Sequence, residues 1–109
     1  MLFITQGRFT PAALKGMLAK PEDRAETVGQ LFASAGGKLL AYYMTFGDYD
    51  FMVISEGPLE GVSTTTIVAG ASGAVTHLKT SMAMTSAEMK AAFAKAGSAA
   101  AAFRAAGTG

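Results

Sequence analysis

Cysteine is absent from the 109 residues. Disulfides, thiolate nucleophiles, iron–sulfur clusters and cysteine-ligated zinc are excluded together, while the redox compartment stays open. Basic runs are missing as well. Nine Lys and Arg stand against eight Asp and Glu for a net charge of +1, with no cation cluster dense enough to follow a phosphate backbone, so no nucleic-acid partner is expected. The longest apolar runs fall far short of the ~20 residues a spanning helix needs, so no membrane is expected either. Met1-Leu2-Phe3-Ile4 leads at once into Gln6, Gly7 and Arg8. There is no basic leader and no long apolar stretch ending in a cleavage site, and a cytoplasmic protein is predicted. Thirteen glycines are present, yet none forms a phosphate loop, a G-x-G-x-x-G turn or a G-x-S-x-G nucleophile elbow.

Apolar residues are plentiful. They make up 50% of the chain, with a mean hydropathy of +0.32. A domain of this length buries only roughly 65% of the surface its unfolded chain exposes, so it carries more apolar material than one small core can hide. The expected outlet is a second copy of the chain.

Residues 1 to 9 are aromatic and branched enough for a first strand, and Thr10-Pro11 then gives an N-cap with proline at the first helical position. Leu14, Met17 and Leu18 share a face of that helix. Pro21 breaks or kinks it, and Ala25, Val28, Leu31 and Phe32 resume the helical spacing up to Gly36-Gly37. Glu22 and Asp23 suit the positive end of the second helix. A second strand is expected over residues 38 to 46 and a third over 49 to 56. They are joined by a tight turn at Gly47-Asp48, two residues that tolerate positive φ, and closed by Gly57-Pro58.

Residues 59 to 71 contain Thr64-Thr65-Thr66-Ile67-Val68, which reads locally as strand. Their place between two strands, after Pro58 and before Gly70 and Gly73, nevertheless predicts the helical crossover of a second βαβ half. A fourth strand follows over residues 74 to 84. Thr85-Ser86-Ala87-Glu88 is a capping box opening a last helix with Met89, Ala92, Phe93 and Ala96 on one side. One domain over residues 1 to 96 is expected, followed by an Ala-rich tail or helix extension over 97 to 109.

The order β-α-β-β-α-β plus a terminal helix is the ferredoxin-like α+β plan, a four-stranded antiparallel sheet with helices on one face. Strict alternation in the second strand points Leu40, Tyr42, Met44 and Phe46 one way and Leu39, Ala41 and Tyr43 the other. In the third strand Phe51 and Val53 alternate with Met52 and Ile54. Neither face is plainly polar. Packing against a second sheet would cover the face the helices leave bare, which predicts a face-to-face homodimer or higher oligomer.

The turn Gly47-Asp48-Tyr49, continued by Asp50-Phe51, resembles the signature motif of the GYD-domain family. Gly7-Arg8-Phe9-Thr10-Pro11, Gly36-Gly37-Lys38 and Tyr43-Met44-Thr45-Phe46 fit the same pattern, and the resemblance covers roughly residues 3 to 93. It implies a ferredoxin-like fold of the dimeric α/β-barrel kind, found in bacterial proteins whose biochemical role is largely uncharacterised. Fold is implied, and mechanism is not.

His77, the only histidine, is placed by alternation on one face with Val75 and Lys79. It is a candidate general base or a single axial ligand to haem, or else a partly exposed strand residue. With no second His, Cys or acidic cluster at ligand spacing, no metal site is predicted, and haem is the one cofactor left open. Tyr49 with Asp48 and Asp50 offers a hydroxyl and carboxylates for proton transfer or ligand orientation, or simply a turn stabilised by Asp48. An inward Asp50 would need a partner such as Arg8 or Lys38, and a structural ion pair is expected. Tyr42, Tyr43, Phe46, Met44 and Met52 could line a cavity between helices and sheet or between two sheets, or could be core. Gln6 and Arg8 are polar groups on the face of Leu2 and Ile4, suited to a wet pocket or a subunit rim.

The catalytic candidates are therefore His77, Tyr43 and Asp50, and the ligand-binding candidates Gln6, Arg8, Tyr42, Tyr43 and Tyr49. Three function classes follow. The favoured one is a homo-oligomeric module binding a small apolar or aromatic molecule in a pocket at the sheet face. The others are a cofactor-independent monooxygenase or isomerase, and a purely structural association domain.

Overall fold

Thr10 begins the first helix in the way its neighbours predict. Its hydroxyl accepts the Ala13 N–H at 3.2 Å and donates to the Gly73 carbonyl at 2.8 Å, which ties the helix start to the entry of the last strand. The computed structural model describes residues 1–107, with eight elements in chain order: β1 (Leu2–Phe9), α1 (Pro11–Ala19), α2 (Ala25–Ser34), β2 (Lys38–Met44), β3 (Phe51–Glu56), α3 (Leu59–Ala71), β4 (Val75–Ala83) and α4 (Ser86–Ala100). The strands form one antiparallel sheet in the order β2-β3-β1-β4. This is the ferredoxin-like α+β arrangement.

Pro21 lies in the break between α1 and α2. The Asp23 carboxylate accepts the Ala25 N–H at 2.9 Å, supplying the cap that Arg24 does not. In α3 the hydroxyls of Ser63, Thr64 and Thr66 donate to the carbonyls of Leu59, Glu60 and Val62, at 2.8, 2.8 and 2.7 Å. Bonding back to the preceding turn occupies the hydroxyls inside the helix, so tertiary position overrides the local strand preference of that segment. The Thr85 capping box closes reciprocally, with Glu88 N to Thr85 Oγ1 at 3.1 Å and Thr85 N to Glu88 Oε1 at 3.0 Å. The hydrogen bond from Thr85 holds the Glu88 carboxyl below its ordinary value.

The core is Phe3, Phe32, Phe51, Val53 and Val62, with Phe9, Val28, Leu39, Tyr42, Val75 and Leu78 packed against it. Each fully buried side chain of this size contributes about 1.5–3 kcal/mol. α2 and α3 cover this face of the sheet. On the opposite face Leu2, Ile4, Met52 and Ile54 are half-buried, and no helical layer covers them among the described residues.

Two β-bulges correct the alternation read from the sequence. The β2–β3 register shifts between Leu39 and Ala41, so Leu40 is an extra residue and Leu39 and Tyr42 both reach the core. The β1–β4 register shifts between Gln6 and Arg8, so His77 and Leu78 together oppose Gly7. His77 takes a left-handed φ of 54°, alone among the described non-glycine residues. Val75 and Lys79 therefore lie on opposite faces, and His77 does not share one face with both.

The central hairpin is looser than a two-residue turn. β2 ends at Met44 and β3 begins at Phe51, with the Thr45 N–H reaching the Asp50 carbonyl at 2.8 Å across the gap. Gly47 takes the left-handed backbone, at φ 139°, and Asp48 does not. The last helix continues past Gly97 to Ala100, yet none of its residues is buried.

Candidate functional site

A large concavity lies on the helix-covered side of the sheet. It is an open cleft of about 660 Å³ reached by residues of α1, α2, α3, β1, β2 and β4. It forms because α1, which has no buried residue, stands off from the α2 and α3 layer. Phe9, Val28, Leu31, Tyr42, Val68 and Val75 supply its apolar wall. An inner recess of about 90 Å³ continues past Val28, Leu31 and Tyr42 to Phe32, Phe51 and Val53.

The polar groups gather at the break between α1 and α2, where Lys20, Glu22 and Arg24 line the cleft. Arg24 Nη1 and Glu22 Oε1 form an ion pair at 2.7 Å, partly exposed on both sides. Tyr42 carries a polar group into the apolar wall. Burial pushes its phenol above the ordinary value, and the positive charge of Arg24 opposes that shift. The phenol thus stays protonated through neutral pH as a hydrogen-bond donor or acceptor. Apolar walls with one or two convergent polar groups are the usual make-up of a small-molecule site, and the volume falls within the ~300–1,000 Å³ such sites occupy.

Of the five ligand-binding candidates, Tyr42 alone lines this cleft. Gln6 pairs with Met52 and Lys79 and lies with Arg8 on the uncovered face. Tyr43 pairs with Met52 and is 57% exposed. Tyr49 sits half-buried in the hairpin loop, where its carbonyl accepts the Thr45 hydroxyl at 2.7 Å. Met44 and Phe46 are exposed, and neither lines the cleft.

The catalytic candidates do not converge within one chain. Tyr43 and His77 lie on the two edge strands, β2 and β4, three strand spacings or about 14 Å apart. His77 is exposed, with Nδ1 3.2 Å from Thr76 Oγ1, and is not part of the cleft lining. Asp50 forms no ion pair with Arg8 or Lys38. Its Oδ2 accepts the Phe9 N–H at 2.9 Å, while the Arg8 Nε donates to the Asp48 carbonyl at 2.8 Å. The motif loop is thus fastened to β1 by the Asp50 carboxylate, the Asp48 carbonyl and the Asp50 N–H, which donates to the Gly7 carbonyl at 2.8 Å. No group of three or more His, Cys, Asp or Glu able to hold a metal ion occurs among the described residues.

Phe9, Val28 and Leu31 were legible in the sequence as strand or helix positions only, and Arg24 was not singled out. The available signal was the charged break from Lys20 to Arg24 set between two apolar helical faces, which marks where a polar rim meets an apolar wall.

A family model described as the GYD domain matches residues 3–93. No curated protein matches the chain.

Proposed function

The chain belongs to the GYD-domain family, and we propose that it is a homo-oligomeric module that binds one small, largely apolar or aromatic molecule in the cleft between its helices and its sheet. The observation that carries this reading is the cleft itself. Val28, Leu31, Val68 and Val75 would hold the apolar body of the ligand, while Tyr42 and Arg24 would meet a single polar group at the rim. The sequence leaves a cavity between helices and sheet or between two sheets open, and the cleft favours the first.

Self-association is supported by the other face. Leu2, Ile4, Met52 and Ile54 form a continuous apolar strip across β1 and β3, which a second sheet would cover. The distance between Tyr43 and His77 weighs against a proton-transfer enzyme built from those residues, and an open cleft weighs against a purely structural domain.

Titration with anilinonaphthalene sulfonate, an aromatic anion whose fluorescence rises in apolar surroundings, tests the site. Saturable binding is expected, lost in Val68→Trp, which fills the cleft from a half-exposed position, and retained in Met52→Ser on the opposite face. Binding lost in Met52→Ser and unchanged in Val68→Trp would move the site to the uncovered sheet.

A further inference from the structure

α4 is a well-capped helix that covers nothing. Its fifteen residues include no buried one, and Phe93 is 72% exposed. The chain extends 66 Å along its longest axis with a radius of gyration of 18.4 Å, against about 13 Å for a compact domain of this length. Only Met84 and Thr85 separate the helix from the end of β4, and it leads away from the body. Isolated helices of this length are marginal in water. Its stripe of Met89, Ala92, Phe93 and Ala96, at i, i+3, i+4 and i+7, is the apolar face of a helix made to lie on something.

The same chain carries a matching seat. Between α3 and β4 runs a groove of about 350 Å³ lined by Phe3, Leu59, Val62, Thr66, Ile67 and Met82, and Ile67 is 70% exposed within it. An apolar stripe without a seat and an apolar seat without a stripe, on one polypeptide, are both satisfied by one two-fold operation. The charges are complementary, since α4 carries Lys90 and Lys95 beyond its capping Glu88, and the groove is flanked by Glu60 in the first turn of α3.

We propose that α4 is an exchange arm: in a dimer of this chain, the Met89-Ala92-Phe93-Ala96 stripe of each copy seats in the α3/β4 groove of the other. A helix about 22 Å long and ~10 Å across has a footprint of roughly 220 Å² on each surface it joins. Two reciprocal dockings then bury about 900 Å², and contact between the bare sheet faces of the same two copies brings the total past the ~1,200 Å² a stable specific interface needs. The inference rests on the self-association half of the proposed function and is independent of the ligand.

The lack of cysteine makes the test clean. Two differently tagged full-length copies are co-expressed, one carrying Ile67→Cys and the other Phe93→Cys, both at exposed positions, and treated with a short bis-maleimide. A cross-linked heterodimer on a denaturing gel is the expected result. Phe93→Glu in the otherwise unaltered chain should raise the concentration at which the dimer dissociates by about tenfold or more, as loss of a buried aromatic anchor does. A light-scattering dimer with no link between positions 67 and 93 would overturn the arm while leaving self-association intact. Linkage only within a single chain carrying both substitutions would show α4 folding back on its own body. A monomer at all concentrations would overturn both the arm and the homo-oligomer.

Discussion

The carboxylate of Asp50 accepts the backbone N–H of Phe9 at 2.9 Å, while the N–H of Asp50 itself donates to the Gly7 carbonyl at 2.8 Å. One residue thus takes two partners on β1, on either side of Arg8, continuing the β1–β3 ladder by a side chain where the backbone register ends at Gly7 and Phe51. Phe9, whose amide is held this way, has its ring 5.1 Å from that of Phe51 and lines the cleft. The residue that follows Gly47-Asp48-Tyr49 therefore positions the cleft wall without itself lining the cleft.

Asp50→Ala leaves the part-buried Phe9 N–H without its acceptor. A loss of about 1–3 kcal/mol in unfolding free energy is expected, read from urea denaturation, with Asp50→Asn recovering most of it because the amide oxygen can still accept. Equal losses in both variants would mean that the hydrogen bond is not what the carboxylate contributes.

Gly7 sits opposite the His77 bulge, and a Cβ there would stand 2.6 Å from Phe51 Cζ and 2.9 Å from Leu78 Cδ2. Both side chains belong to the packed core or its margin, so they can yield only by disturbing neighbours. Gly7→Ala should cost about 1–3 kcal/mol by overpacking, although alanine is otherwise the better strand residue. Thermal unfolding measures it, and an unchanged midpoint would show that the Phe51 ring swings away freely.

Much of the fold was legible because local chemistry and global order agreed. Pro21, Gly36, the Thr85 box and the crossover α3 all fall where their residues indicate, α3 because its threonines can bond back into the helix. The two bulges were not legible. Period-two reading assumes an unbroken ladder, and one extra residue at Leu40 or His77 turns the following side chains to the other face. The hairpin misled for a related reason, since the Asp50 side chain takes the place of a backbone partner and permits a longer loop. The cleft has no sequence signature beyond the charged break at residues 20 to 24, because it arises from how far α1 stands off its neighbours.

The raised phenol of Tyr42 gives a pH dependence whose sign is fixed. The folded chain binds this proton more tightly than the unfolded chain, so the associated stability is complete below the ordinary phenol value of 10.0 and is lost as pH rises towards the folded value. Ultraviolet titration should show a late phenol ionisation, above the ordinary value, that belongs to Tyr42. Tyr42→Phe should remove that late step and flatten the alkaline loss of stability, and if the late step survives the substitution, another tyrosine is the buried one.

Native mass spectrometry of the full chain titrated with anilinonaphthalene sulfonate tests the cleft and the assembly together. The predicted result is a dimer or higher oligomer that takes up one probe per chain at saturation, with uptake lost and assembly kept in Val68→Trp. A monomer, or an oligomer whose probe stoichiometry is unchanged by Val68→Trp, would contradict a homo-oligomeric module with its binding site between the helices and the sheet.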